Sequence, residues 1–116
     1  MNARIVVVVA ILIGFTSATS AHAFLERATP SAGQNLRASP PRVEMHFSEA
    51  LEPSFSDMRV TDVHGHDMAA GPPVASGAEM DLPLKKLPPG RYRVTWHAVS
   101  VDTHHTEGKY NFLILP

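Results

Sequence analysis

The clearest pattern in the chain is an alternation of apolar and polar positions. In RVEMHFS, residues 42 to 48, Val43, Met45 and Phe47 alternate with Glu44, His46 and Ser48. A period of two predicts a strand with one buried face, and it puts His46 on the outer one. Met58 and Val60 alternate in the same way with Arg59 and Thr61. The longest run is RYRVTWHAVSVD, where Tyr92, Val94, Trp96 and Ala98 oppose Arg93, Thr95 and His97. Its expected partner is KYNFLIL, with Tyr110, Phe112 and Ile114 inward and a polar connection from Asp102 to Gly108 between the two. Leu82 and Leu84 predict a further strand, and Pro83 suggests that it lies at a sheet edge. His64-Gly65-His66 reads as a strand-ending turn and Pro88-Pro89-Gly90 as a type II turn. GQNLRASPP is too short for a helix and is stopped by Pro40 and Pro41. About seven short strands around such a core predict an all-β fold, a Greek-key sandwich or barrel.

The first residues depart from this pattern. Arg4 and the start amine precede an apolar run from Ile5 to Phe15, and small residues follow from Thr16 to Ala21, the layout of a secretory signal. The run is shorter than the roughly 20 residues that span a bilayer. Cleavage after Ala21 would leave His22 first, and cleavage after Ala23, which fits the A-x-A pattern better, would leave Phe24 first. The leader pattern alone leaves both open. The expected organisation is a signal over residues 1–21 and one domain over 22–116.

Composition narrows the chemistry. Ten Lys and Arg against eleven Asp and Glu give a net charge of −1, with no basic stripe for nucleic acid. There is no cysteine, so an exported domain of this size must be held by packing, and any metal must be bound through nitrogen, oxygen or methionine sulfur. The seven histidines, at 22, 46, 64, 66, 97, 104 and 105, all lie beyond the leader.

Within SVDTHHTEG, Asp102 and His104 are two residues apart, so in an extended segment both side chains would leave one face. Two ligands are too few for a transition ion. His22 as a first residue would complete the set, because its amine and ring nitrogen close a chelate on one metal. An α-amine is suited to this, since its reference pKa of about 7.7–8 makes it easier to deprotonate than a lysine. Three nitrogens and one carboxylate oxygen would favour Cu(II), with Ni(II) as the other fit. The plainer reading of Asp-x-His is turn chemistry and a solvated imidazole.

The ordered set HAFLERATPSAG, VEMHFSEALEPSFS, LPPGRYRVTWHAVSVDTHHTEG and KYNFLIL resembles the CopC family of periplasmic copper-binding proteins, including S-x-D-x-H-x-x-x-G at Ser100 to Gly108. The resemblance covers essentially the whole chain after the leader. It implies a cupredoxin-like or immunoglobulin-like β-barrel, a periplasmic location, and Cu(II) held by a histidine brace. It favours cleavage after Ala21 and assigns metal-ligand roles to His22, Asp102 and His104. Glu49, of the FSE match, is implied to hydrogen-bond near the copper and orient its ligands.

The resemblance further implies copper sequestration, or delivery to an inner-membrane CopD-type importer, with no enzymatic activity and no polymer substrate. Relatives with a methionine-rich loop bind Cu(I), but VTDVHGHDMAAGPP retains only Met68, so no strong Cu(I) site is expected, and His66 and Met68 are expected to be turn residues. His105 stands where the family often has proline and is expected to be exposed, as are His46 and His97. Trp96 is expected in the core. The competing functions are a copper-dependent oxidase or monooxygenase and a metal-free β-sandwich interaction module.

Overall fold

The structure is a computed structural model, and it describes residues 24–116. Eight strands follow in order: β1 (Leu25–Thr29), β2 (Asn35–Leu36), β3 (Arg42–Phe47), β4 (Asp57–Thr61), β5 (Val74–Ser76), β6 (Glu79–Pro83), β7 (Gly90–Val99) and β8 (His105–Ile114). The only helical element among the described residues is a 3₁₀ turn over Pro53–Phe55. The strands form two four-stranded sheets, ordered β1-β3-β6-β5 and β2-β8-β7-β4. All pairings are antiparallel except β2 with β8. The all-β sandwich expected from the alternation is therefore present.

The core follows the same alternation. Val43, Met45 and Phe47 of β3, Met58 and Val60 of β4, and Tyr92, Val94 and Ala98 of β7 are all buried, while Arg59, Arg93, Thr95 and His97 are exposed. Each large aliphatic or aromatic side chain taken out of water in this way contributes about 1.5–3 kcal/mol before entropy is charged against it. Met80 and Leu82 of β6 and Phe112 and Ile114 of β8 complete the layer between the sheets. Tyr92 stacks on Phe112 at 5.7 Å, and its hydroxyl donates to the Pro88 carbonyl at 2.5 Å, which ties the start of β7 to the segment before it.

Three local expectations are corrected. β6 is an interior strand, not an edge. Its Pro83 is tolerated because it is the last residue of the strand, where the β5 ladder has already ended at Val74 and Asp81. Pro88-Pro89-Gly90 is a bend leading directly into β7, with Gly90 at φ 155° instead of the value near 80° that a type II turn needs. GQNLRASPP forms no helix, as expected, and contains the short strand β2. β8 starts at His105, so the connection after β7 runs from Ser100 to His104, earlier than the expected Asp102 to Gly108. His105 and Glu107 face outward and the inward Thr106 is itself polar, so this end of the strand shows no apolar alternation.

His64-Gly65-His66 does form the expected turn, with Gly65 at φ 82°. The Asp62 carboxylate accepts from the backbone N–H groups of His64 and His66, both at 2.9 Å, and meets the His66 ring Nδ1 at 2.9 Å. Met45, Met58 and Met80 are buried in the core and Met68 is half-buried against it, so these thioethers serve packing.

Candidate metal centre

The tight connection between β7 and β8 is built around Ser100, which is fully buried. Its backbone N–H donates to the His104 carbonyl at 2.9 Å, and its carbonyl accepts from Thr103 N–H at 2.9 Å. Its hydroxyl accepts from the His104 backbone N–H at 3.0 Å and donates to the Asp102 carboxylate. Thr103 closes the loop with φ at 71°, the left-handed region that a β-branched residue rarely adopts. Asp102 and His104 converge because this turn folds them together, not because they share the face of an extended segment.

A second segment brings the third acidic group. β3 ends at Phe47, and the chain then crosses from one sheet to the other through Ser48 to Ser56. It is stitched to the loop at several points. Leu51 bridges to Ser100, Val101 N–H donates to the Ala50 carbonyl at 3.0 Å, and Glu52 N–H donates to the Val99 carbonyl at 2.8 Å. Glu49 is thereby held beside Asp102 and His104. The start of the described chain is fixed at the same place, since Ser48 N–H donates to the Phe24 carbonyl at 2.7 Å and the Phe24 ring packs on Phe47 at 5.3 Å.

His104 Nδ1 lies 3.3 Å from Asp102 Oδ2 and 3.6 Å from Glu49 Oε2. One donor atom from each of Glu49, Asp102 and His104 falls within 4.8 Å of the others. The Ser100 hydroxyl above all, then Glu49 and the His104 imidazole, hold the Asp102 carboxyl below the usual carboxylate range. Glu49 Oε2 is shielded from solvent and has no hydrogen-bond partner among the described residues. A buried carboxylate oxygen without a donor is costly. Two carboxylates and one imidazole nitrogen at this spacing match the hard and borderline donors that bind a divalent transition ion. The residues present therefore fit a metal.

A model of the CopC domain family matches residues 25–114. The chain belongs to the CopC family. It is 33% identical over 114 residues to "Copper resistance protein C" of Escherichia coli, covering 90% of each chain. It is 36% identical over 105 residues to "Protein YobA" of Escherichia coli K12, covering 85% of this chain and 83% of that one. The crystal structure of CopC from Methylosinus trichosporium OB3b superposes with a TM-score of 0.74 at 33% identity, covering 82% of this chain and 95% of that one. Family membership makes this a protein of the copper-resistance group and accounts for the two-sheet fold.

Of the residues singled out in the sequence, the structure of this CopC-family chain brings Asp102, His104 and Glu49 together. His22 lies outside the described residues. His46, half-buried on β3, pairs with Glu79 of the adjacent strand β6 at 3.1 Å. His97 and His105 are exposed, as expected, and Trp96 is half-buried against the core, where Tyr110 packs beside it at 6.2 Å. Sequence reasoning gave Ser100 no role beyond its place in the motif. Its spacing to Asp102 was visible, but its burial and its contact with the Ala50–Leu51 segment depend on tertiary structure.

Proposed function

We propose that this chain is an exported copper-homeostasis protein that binds Cu(II) in the periplasm through a histidine brace. It sequesters the ion or passes it to a CopD-type importer in the inner membrane. The signal is cut after Ala21, so His22 supplies its amine and its imidazole, Asp102 supplies a carboxylate and His104 a second imidazole. Glu49, beside them, orients His104 and balances charge. The observation that carries this reading is the convergence of Glu49, Asp102 and His104 with a buried carboxylate oxygen that accepts no hydrogen bond.

Covalent reach supports the part played by His22. Two residues of chain span at most about 7 Å, and Phe24 is hydrogen-bonded to Ser48, the neighbour of Glu49. Copper is the cargo here, and three nitrogens with a carboxylate oxygen suit its oxidised form. The protein's own residues hold the ligands ready: Ser100 donates to the Asp102 carboxylate and fixes the backbone of His104, so little ordering is left for binding.

The ligand set is tested by Cu(II) titration of the chain beginning at His22, followed by EPR. His104→Ala and Asp102→Ala should each weaken binding by about tenfold or more, with fewer nitrogen couplings in the spectrum of the histidine variant. Wild-type affinity and an unchanged spectrum in His104→Ala would refute the assignment.

A further inference from the structure

The outward face of the β7/β8 pair carries two imidazoles that the centre at Glu49, Asp102 and His104 does not use. His97 lies opposite Glu107 and His105 opposite Val99, so the two histidines are diagonal neighbours on one face. Their ring centroids are 5.7 Å apart, edge to face at 63°. His97 Nδ1 sits 3.1 Å from the Phe55 carbonyl oxygen. A carbonyl only accepts, so this contact fits the neutral ring with its proton on Nδ1 and its lone pair on Nε2. A backbone carbonyl that fixes one ring nitrogen and leaves the other free to donate its pair is the arrangement that prepares a histidine for a metal.

The surroundings add to this. His97 and His105 line one concave surface of about 470 Å³ together with Glu52, Phe55, Val99 and Val101. Its walls are largely apolar, and Glu52 provides negative charge. Both histidines sit on paired strands, so their spacing is set by the ladder and not by a mobile loop.

We propose that His97 and His105 form a second, weaker site for a late first-row divalent ion, Cu(II) foremost. Imidazole suits copper, zinc and nickel, and Cu(II) leads the divalent affinity order. With two protein nitrogens and water as the remaining ligands, the site binds less tightly than the principal centre. It needs neither His22 nor Asp102, so it stands or falls separately from the brace. The other histidine pair, His64 and His66, has ring centroids 6.0 Å apart but lies on an exposed turn, with His66 Nδ1 already engaged by Asp62.

Calorimetric Cu(II) titration of the chain beginning at His22, with EPR at each equivalent, tests the proposal. The wild-type chain should show two classes of site. In His97→Ala and in His105→Ala the weaker class should lose affinity by about tenfold or more, and in the double variant it should vanish, while the tighter class stays unchanged. His64→Ala and His66→Ala should leave both classes intact. Both substituted side chains are exposed, and thermal unfolding monitored by circular dichroism checks that the variants fold. A single class in the wild-type chain would overturn the proposal. So would a weaker class that survives in the double variant or that disappears in His64→Ala.

Discussion

The side chain of Ser100 sits at the junction of two tasks. Its hydroxyl receives the backbone N–H of His104 and donates to Asp102, so one buried oxygen fixes the position of one candidate ligand and the ionisation of the other. Because the Asp102 pKa is lowered by folding, the stability it contributes is present above the ordinary aspartate value of about 3.9 and is lost as pH falls through the lower folded value. Ser100→Ala removes the largest cause of that shift. The carboxyl ¹³C titration midpoint of Asp102 should then move up toward the ordinary value, and Cu(II) affinity should fall. A midpoint that stays as low as in the wild-type chain would assign the shift to Glu49 and His104 instead. The Asp-x-His spacing was legible in the sequence, but the mechanism of convergence was not, because it depends on Thr103 adopting φ 71° around a serine anchored by a distant segment.

At the scale of elements, the β7/β8 pair carries the loop, and Gly108 lets those strands pack as they do. Trp96 lies directly opposite Gly108, and a Cβ there would stand 2.2 Å from the indole Cη2. The glycine of the S-x-D-x-H-x-x-x-G motif thus makes room for an aromatic ring and is not a ligand-loop residue. Gly108→Ala should cost about 1–3 kcal/mol through overpacking, read from urea unfolding. A loss below a few tenths of a kcal/mol would mean that the ring moves aside freely. Strands with an apolar face, β3, β4, β6, β7 and the second half of β8, were legible in the alternation. β1, β2 and β5 were not. β1 is interrupted by a bulge between Leu25 and Arg27, and β2 and β5 are two and three residues long, which leaves little pattern to read. The interior place of β6 was also hidden, because Pro83 lacks only an N–H: it still pairs with Arg42 of β3, and its carbonyl accepts from Ala70 N–H.

For the whole molecule, the two sheets meet at the candidate centre. Glu49 arrives on the crossing segment from one sheet, Asp102 and His104 on the hairpin of the other, and Phe24 pins the beginning of the described chain to the same crossing. In the proposed brace, this layout would put a terminus at His22 within reach of the loop ligands. Phe24 belongs to the core, and the proposed brace adds the requirement that the mature chain begin two residues earlier, at His22. The most direct measurement is therefore the Cu(II) affinity of the chain that begins at His22, set beside the same chain with one methionine placed before His22. Extension should lower affinity at least about 100-fold, because the amine moves away from its own imidazole and the chelate opens. Equal affinity in the two forms would contradict the brace.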